Sequence, residues 1–126
     1  MRRRLPLLMC ALLSGLSGCG PDLATRYETG NSALSHSDGA LYFVVISPRL
    51  QQALNTCIPP GTPGASPMLM IVADVDAAGV AQDLVVRPDS PGSDCVRQQL
   101  TERPLPRPPL QPGTTSFPIG LRIDTK

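Results

Sequence analysis

Cysteine is the residue type in this chain with the most chemistry to offer, and the four cysteines stand at positions 10, 19, 57 and 95. Cys19 closes the run Leu16-Ser17-Gly18-Cys19, which follows Arg2, Arg3 and Arg4 and an apolar stretch over residues 5–13. A basic start, a short apolar run and small residues before a cysteine read as the signal of a bacterial lipoprotein, in which the thiol is acylated, for example with palmitate, before cleavage. Cys19 is then the first residue of the mature chain and Cys10 leaves with the signal. Two or three acyl chains, at about 0.8 kcal/mol per buried methylene, hold such a protein permanently on its membrane. Gly20, not aspartate, follows the lipidated position; the resemblance to lipoproteins of two-membrane bacteria then implies the periplasmic face of the outer membrane.

Cys57 and Cys95 remain. In an oxidising compartment an isolated pair reads as a disulfide, closing a loop of about 39 residues that would contribute roughly 4 kcal/mol. Two free buried thiols or half of a metal site are the alternatives, but His36 is the only histidine and lies in a segment without periodicity. Asp74, Asp76 and Gly79 are spaced like the start of a calcium loop, yet Ala78 and Val85 stand where that loop needs oxygen ligands. No histidine accompanies a nucleophile and no glycine-rich phosphate loop is present, so the sequence predicts neither enzyme nor cofactor nor small-molecule substrate.

Removing 18 residues, three arginines among them, from a 126-residue chain with 11 basic and 10 acidic side chains leaves 108 residues and an excess of two negative charges. That balance provides no basic field for nucleic acid. Tyr27, Tyr42, Phe43 and Phe117 are the only aromatics. A core with so few large side chains is thin and gains from a covalent staple.

The elements that must position the cysteines emerge from the pattern of apolar residues. Residues 1–18 are the signal, 19–39 a lipidated, flexible tether containing Ser35 and His36, and 40–126 a folded domain. Residues 41–46 are wholly apolar and of strand length. Ser47 and Pro48 read as the cap and first position of a helix whose inner face is Leu50, Ala53, Leu54 and Cys57. Residues 68–75 and 80–87 form a hairpin turned by Asp76 and Gly79. Ser93 or Asp94 caps a second helix carrying Cys95, Val96 and Leu100, and residues 103–109 are a stiff proline connector to a last strand at 116–124. Because a hairpin returns the chain to where it left, the end of one helix meets the start of the other, which brings Cys57 to Cys95. The fold class is α+β: a two-layer sandwich of a three- or four-stranded antiparallel sheet with two helices on one face. The succession also fits a ferredoxin-like order, with residues 41–46 as a central strand.

The turn residues Asp76 and Gly79, the strand end Val86-Arg87-Pro88, the approach Gly92-Ser93-Asp94 to a helical Cys95 and the run Leu105-Pro106-Arg107-Pro108-Pro109 resemble the C-terminal domains of the TolA and TonB family, TolA the more closely. The likeness covers residues 47–124. It departs in placing the first cysteine on a helix ahead of a Pro/Gly insertion, where the family has it at the start of the first hairpin strand. It also lacks the family's transmembrane helix and long spacer. The resemblance implies a protein-docking module without energy transduction of its own, binding an envelope partner of the Tol-Pal type by strand addition at a sheet edge. Gln82 and Asp83 on one strand, or Phe117 and Ile119 on the last, are the edge residues it points to. A periplasmic inhibitor or immunity lipoprotein against a wall-degrading toxin, and a subunit of an envelope secretion machine, are the other functions this sequence fits.

Overall fold

A computed structural model describes residues 22–125 of the chain. The signal segment, the Leu-Ser-Gly-Cys run and Cys19 lie outside the described residues. Six elements succeed one another: α1 (Leu23–Ser35), α2 (Ser37–Cys57), β1 (Met68–Asp76), β2 (Ala81–Arg87), α3 (Pro91–Glu102) and β3 (Ser116–Asp124). The strands form one antiparallel sheet in the order β2-β1-β3. The α+β class and the three-stranded antiparallel sheet are as expected, with one helix more than the sequence predicts.

That extra helix replaces the tether. Asp22 caps α1 by accepting a hydrogen bond from the Thr25 N–H at 2.8 Å, which satisfies one of the free donors of the first turn and holds the Asp22 carboxyl below its usual range. Leu23, Tyr27, Gly30 and Leu34 recur at spacings of four, three and four and make one face. His36 ends the helix, its Nδ1 2.7 Å from the Ser32 carbonyl oxygen. Residues 22–36 are therefore structured, and the reading of 19–39 as a coil is corrected from Asp22 onward.

The strand expected over residues 41–46 is likewise overturned. Those residues are the second and third turns of α2, and their period is helical: Tyr42, Ile46, Leu50, Ala53 and Leu54 are buried on one side. Leu41, Val44 and Val45, from the same run, are 67%, 66% and 54% exposed. The run imitates a doubly buried strand because the helix is apolar on both its inner and outer faces. With no strand there, the ferredoxin-like order is excluded. Ser47 and Pro48 do not start a helix but lie inside one, and the Ser47 hydroxyl donates back to the Phe43 carbonyl at 2.6 Å. Pro48 has no N–H to give the Val44 carbonyl, a loss softened by the exposure of that side of the helix. Pro48→Ala is expected to raise stability by about 2 kcal/mol, measured as a higher thermal midpoint. An unchanged or lower midpoint would show that the bend at Pro48 is required for packing.

From residue 68 onward the three strands fall where the pattern places them. Leu69, Ile71, Ala73 and Val75 of β1 share one face with Ala81 and Val86 of β2 and with Ile119 and Leu121 of β3. α2 and α3 cover that face, contributing Ile46, Leu50, Ala53, Val96 and Leu100 to the same core. Gly79 takes φ +88 in the hairpin. Asp76 accepts from the N–H groups of Val80 and Ala78 at 2.9 Å each and from the Gln82 amide at 3.1 Å, and these bonds, Val80's first, hold its carboxyl below the usual range. α3 starts one turn earlier than predicted. Ser90 is its cap, accepting from the Ser93 N–H, while Ser93 is fully buried and donates to the Pro88 carbonyl at 2.6 Å.

Two connections tie α2 to α3. Cys57, the last residue of α2, is bonded to Cys95 in the first turns of α3, with Cα atoms 5.5 Å apart. Arg49 donates to the last carbonyls of α3, to Gln99 at 2.7 Å and Arg103 at 3.3 Å. Cation donors at a helix C-terminus complement the negative end of the helix dipole.

Candidate functional site

α1 determines which parts of the sheet remain accessible. Its N-terminal half lies on the face opposite α2 and α3, where Arg26 reaches Asp74 at 3.8 Å and Arg122 stacks over the Tyr27 ring at 4.7 Å. Val72 points to this second face and is only 1% exposed. α1 then crosses β3 at a close backbone contact. A Cβ on Gly30 would lie 2.2 Å from the Ile119 carbonyl carbon, and one on Gly120 would lie 2.3 Å from the Tyr27 oxygen. Beyond the crossing Leu34 enters the main core.

Hydrogen-bond alternation fixes which backbone groups face outward. Thr125 donates to Pro67 at 3.0 Å, so the register that pairs Thr125 with Pro67 turns the odd-numbered residues of β3 toward β1 and the even-numbered ones toward the open edge. Pro118 is even, so its missing N–H costs no ladder bond. Gly120 is even, and its carbonyl accepts from the Asn31 amide at 3.2 Å. Arg122 is the next residue to present its N–H and C=O outward. β3 is thus closed by proline and by α1 as far as Gly120 and is open at Arg122.

The edge residues read from the sequence are corrected accordingly. Phe117 and Ile119 are odd: their backbone faces β1, Ile119 is 1% exposed, and Phe117 packs edge-on against Tyr42 with ring centroids 5.4 Å apart. Gln82 pairs with Asp74 and its backbone also faces β1, while its side chain is spent on Asp76. Asp83 is the extra residue of a β-bulge at φ +51, and its carbonyl accepts from Arg26 at 2.7 Å. A bulge of this kind twists an edge away from further pairing. Phe117, Ile119 and Gln82 turn their ladder groups toward β1, and the Asp83 carbonyl is taken by Arg26. The signal that locates the open edge instead is Pro118, whose parity names Arg122.

The open end of β3 forms the floor of a slot of about 420 Å³ between α1 and α2. Tyr27, Asn31 and Leu34 line one wall and Phe43, Leu50 and Leu54 the other, with residues 121–124 between them. Phe43 is 42% exposed, and beyond it the uncovered residues Leu41, Val44 and Val45 extend the apolar surface over α2. The slot combines the outward backbone groups of Arg122 with walls of apolar side chains interspersed with Asn31, Ser35, Ser47 and Gln51. An extended segment entering it would meet backbone groups at Arg122 and pockets for alternate side chains.

The polar residues that might suggest chemistry have structural partners. Tyr42 is buried, which pushes the pKa of its hydroxyl up to about 12, and it donates to the Pro106 carbonyl at 2.7 Å. His36 caps α1, and Asp74 and Asp76 are held by Arg26 and by the hairpin turn. Among the described residues no three His, Cys, Asp or Glu side chains gather as a metal site would require, and no helix is long and apolar enough to cross a membrane. No family model matches the chain, nor does any curated protein or solved structure.

Proposed function

We propose that this chain is a lipoprotein of the outer membrane, anchored through Cys19 on the periplasmic side, whose α+β domain docks an envelope protein without transducing energy itself. The leader supports the anchor: three arginines, a short apolar run and Leu16-Ser17-Gly18-Cys19. The order of hairpin, cysteine-bearing helix, proline run and last strand supports the likeness to the TolA C-terminal domain, and with it a partner of the Tol-Pal type or a secretion component. The slot beside Arg122 carries the docking reading, because it leaves the outward backbone of Arg122 open between Tyr27 and Leu34 on one side and Phe43, Leu50 and Leu54 on the other, while β3 is covered as far as Gly120.

The reading is tested by removing one backbone donor. Arg122→Pro deletes an N–H that faces the slot and not the sheet, so the fold is expected to survive with little change in thermal midpoint. Capture of periplasmic Tol-Pal type proteins by the immobilised domain is expected to fall at least about tenfold, the loss of one desolvated hydrogen bond. Arg122→Ala, which keeps the N–H, separates the backbone from the side chain and is expected to retain most of the binding. Capture that is equally strong for the wild type and Arg122→Pro would remove the slot as the docking site.

A further inference from the structure

A second surface stands where the chain leads toward Cys19. The first turns of α1 lie on the sheet face opposite α2, and there Leu23, Ala24, Tyr27, Glu28, Met70 and Arg122 surround a shallow hollow of about 470 Å³. Met68 lies two residues from Met70, on the same face of β1, and is 48% exposed. Methionine, tyrosine and arginine together form a surface with an apolar body and a polar or cationic rim, the character of residues that sit at a bilayer interface. Glu28 lines the hollow and Asp124, the cross-strand neighbour of Met68, stands on the same face, so two carboxylates border the surface.

Chain length identifies the occupant. Asp22 caps α1, and only three Cα-to-Cα steps separate it from Cys19, a span of at most about 11 Å however the chain is arranged. A single α-helix with its side chains is about 10–12 Å across. The start of α1 is therefore held within about one helix diameter of Cys19, too close for another protein element to lie between that end of the face and the lipid. We propose that the surface formed by Leu23, Tyr27, Met68, Met70 and Arg122 rests directly on the phospholipid headgroups of the anchoring membrane. Met68 and Met70 dip toward the acyl chains, and Arg122, held over the Tyr27 ring, meets lipid phosphate. α2, on the other side of the sheet, then faces away from the membrane. This inference rests on the reading that Cys19 is acylated.

The chain has no tryptophan, so Met68→Trp introduces a single fluorophore at the exposed margin of the surface. The acylated protein is reconstituted into vesicles of phosphatidylethanolamine and phosphatidylglycerol, some containing lipids brominated near the headgroup end of the acyl chains. Emission is expected to shift to the blue and to be quenched at least about twofold, since interfacial residues sit about 5–10 Å into the headgroup and acyl boundary. Asn55→Trp, on the exposed side of α2, is expected to remain unquenched. Arg122→Glu in the Met68→Trp background is expected to weaken the quenching and provides a second variant at the same surface. If Met68→Trp stays solvent-like and unquenched while the protein floats with the vesicles, the surface does not touch lipid and the inference falls. A blue shift that grows with protein concentration, without quenching, would assign the surface to a second copy and also overturn it. Mass spectrometry showing an unmodified Cys19, with no flotation, would instead overturn the anchor reading itself.

Discussion

Replacing Cys57 and Cys95 together by alanine is expected to lower the stability of the domain by about 4 kcal/mol, the loop-closure entropy of a cross-link spanning 38 positions. For a chain of this size unfolded in urea, where the slope is about 1–3 kcal/mol/M, the midpoint moves down by roughly 1.3–4 M. The loop so closed contains all of β1 and β2, so the bond restrains the unfolded chain where most of the sheet is encoded. In the folded state it fastens the last residue of α2 to the first turns of α3, at the opposite end of α3 from the Arg49 bonds to Gln99 and Arg103. The core it supports has few large side chains: its most deeply buried members are aliphatic residues such as Ile46, Leu69, Ile71 and Leu100. A total stability of about 5–15 kcal/mol is usual for a single domain, so a loss of this size leaves little margin. Reductant is expected to lower the midpoint of the wild type and leave the double variant unmoved. A double variant as stable as the parent would show that the helices and sheet hold the loop ends together unaided.

The part of the fold legible in the sequence is the part where apolar residues mark a single buried face. In β1, Leu69, Ile71, Ala73 and Val75 alternate inward, and Gly79 supplies the positive φ the turn requires. Those two features define the hairpin, and the hairpin in turn sets Cys57 beside Cys95. Residues 41–46 mislead for the converse reason. Leu41, Val44 and Val45 face solvent, and an outward stripe added to the inward one of Tyr42 and Ile46 erases the helical period. α1 is hidden differently. Its contact with β3 depends on Gly30 and Gly120, and a contact made by absent side chains leaves no apolar signal. At the candidate site the difference is a slip of one residue. Ile119 and Phe117 are on the last strand as expected, but alternation turns their backbone toward β1 and assigns the open edge to their even-numbered neighbours. Pro118 carries that information, since a proline inside a three-stranded sheet must point its nitrogen outward.

Alanine at Gly30 is expected to destabilise the domain by at least about 3 kcal/mol, although glycine to alanine inside a helix ordinarily stabilises by about 1 kcal/mol. The sign reverses because the new methyl would lie 2.2 Å from the Ile119 carbonyl carbon and 2.3 Å from the Gly120 nitrogen, both backbone atoms of a strand paired along its length with β1. Neither can yield as a flexible side chain would. α1 must therefore lift from β3, and with it go the Asn31 bond to the Gly120 carbonyl, the cover over Val72 and the entry of Leu34 into the core. Gly120→Ala attacks the same contact from the strand side, with its Cβ 2.3 Å from the Tyr27 oxygen, and is expected to act in the same direction. Because both substitutions separate the same two elements, the double variant is expected to lose much less than the sum of the singles, which a double-mutant cycle in urea reads directly. Lifting α1 also frees the Gly120 carbonyl and lengthens the open edge of β3, so each variant is expected to expose amides near residue 120 to faster hydrogen exchange than those of β1 and β2. Stabilisation by Gly30→Ala, or full additivity of the pair, would mean that α1 does not cross β3 in contact with it, and the slot between α1 and α2 would lose one of its walls.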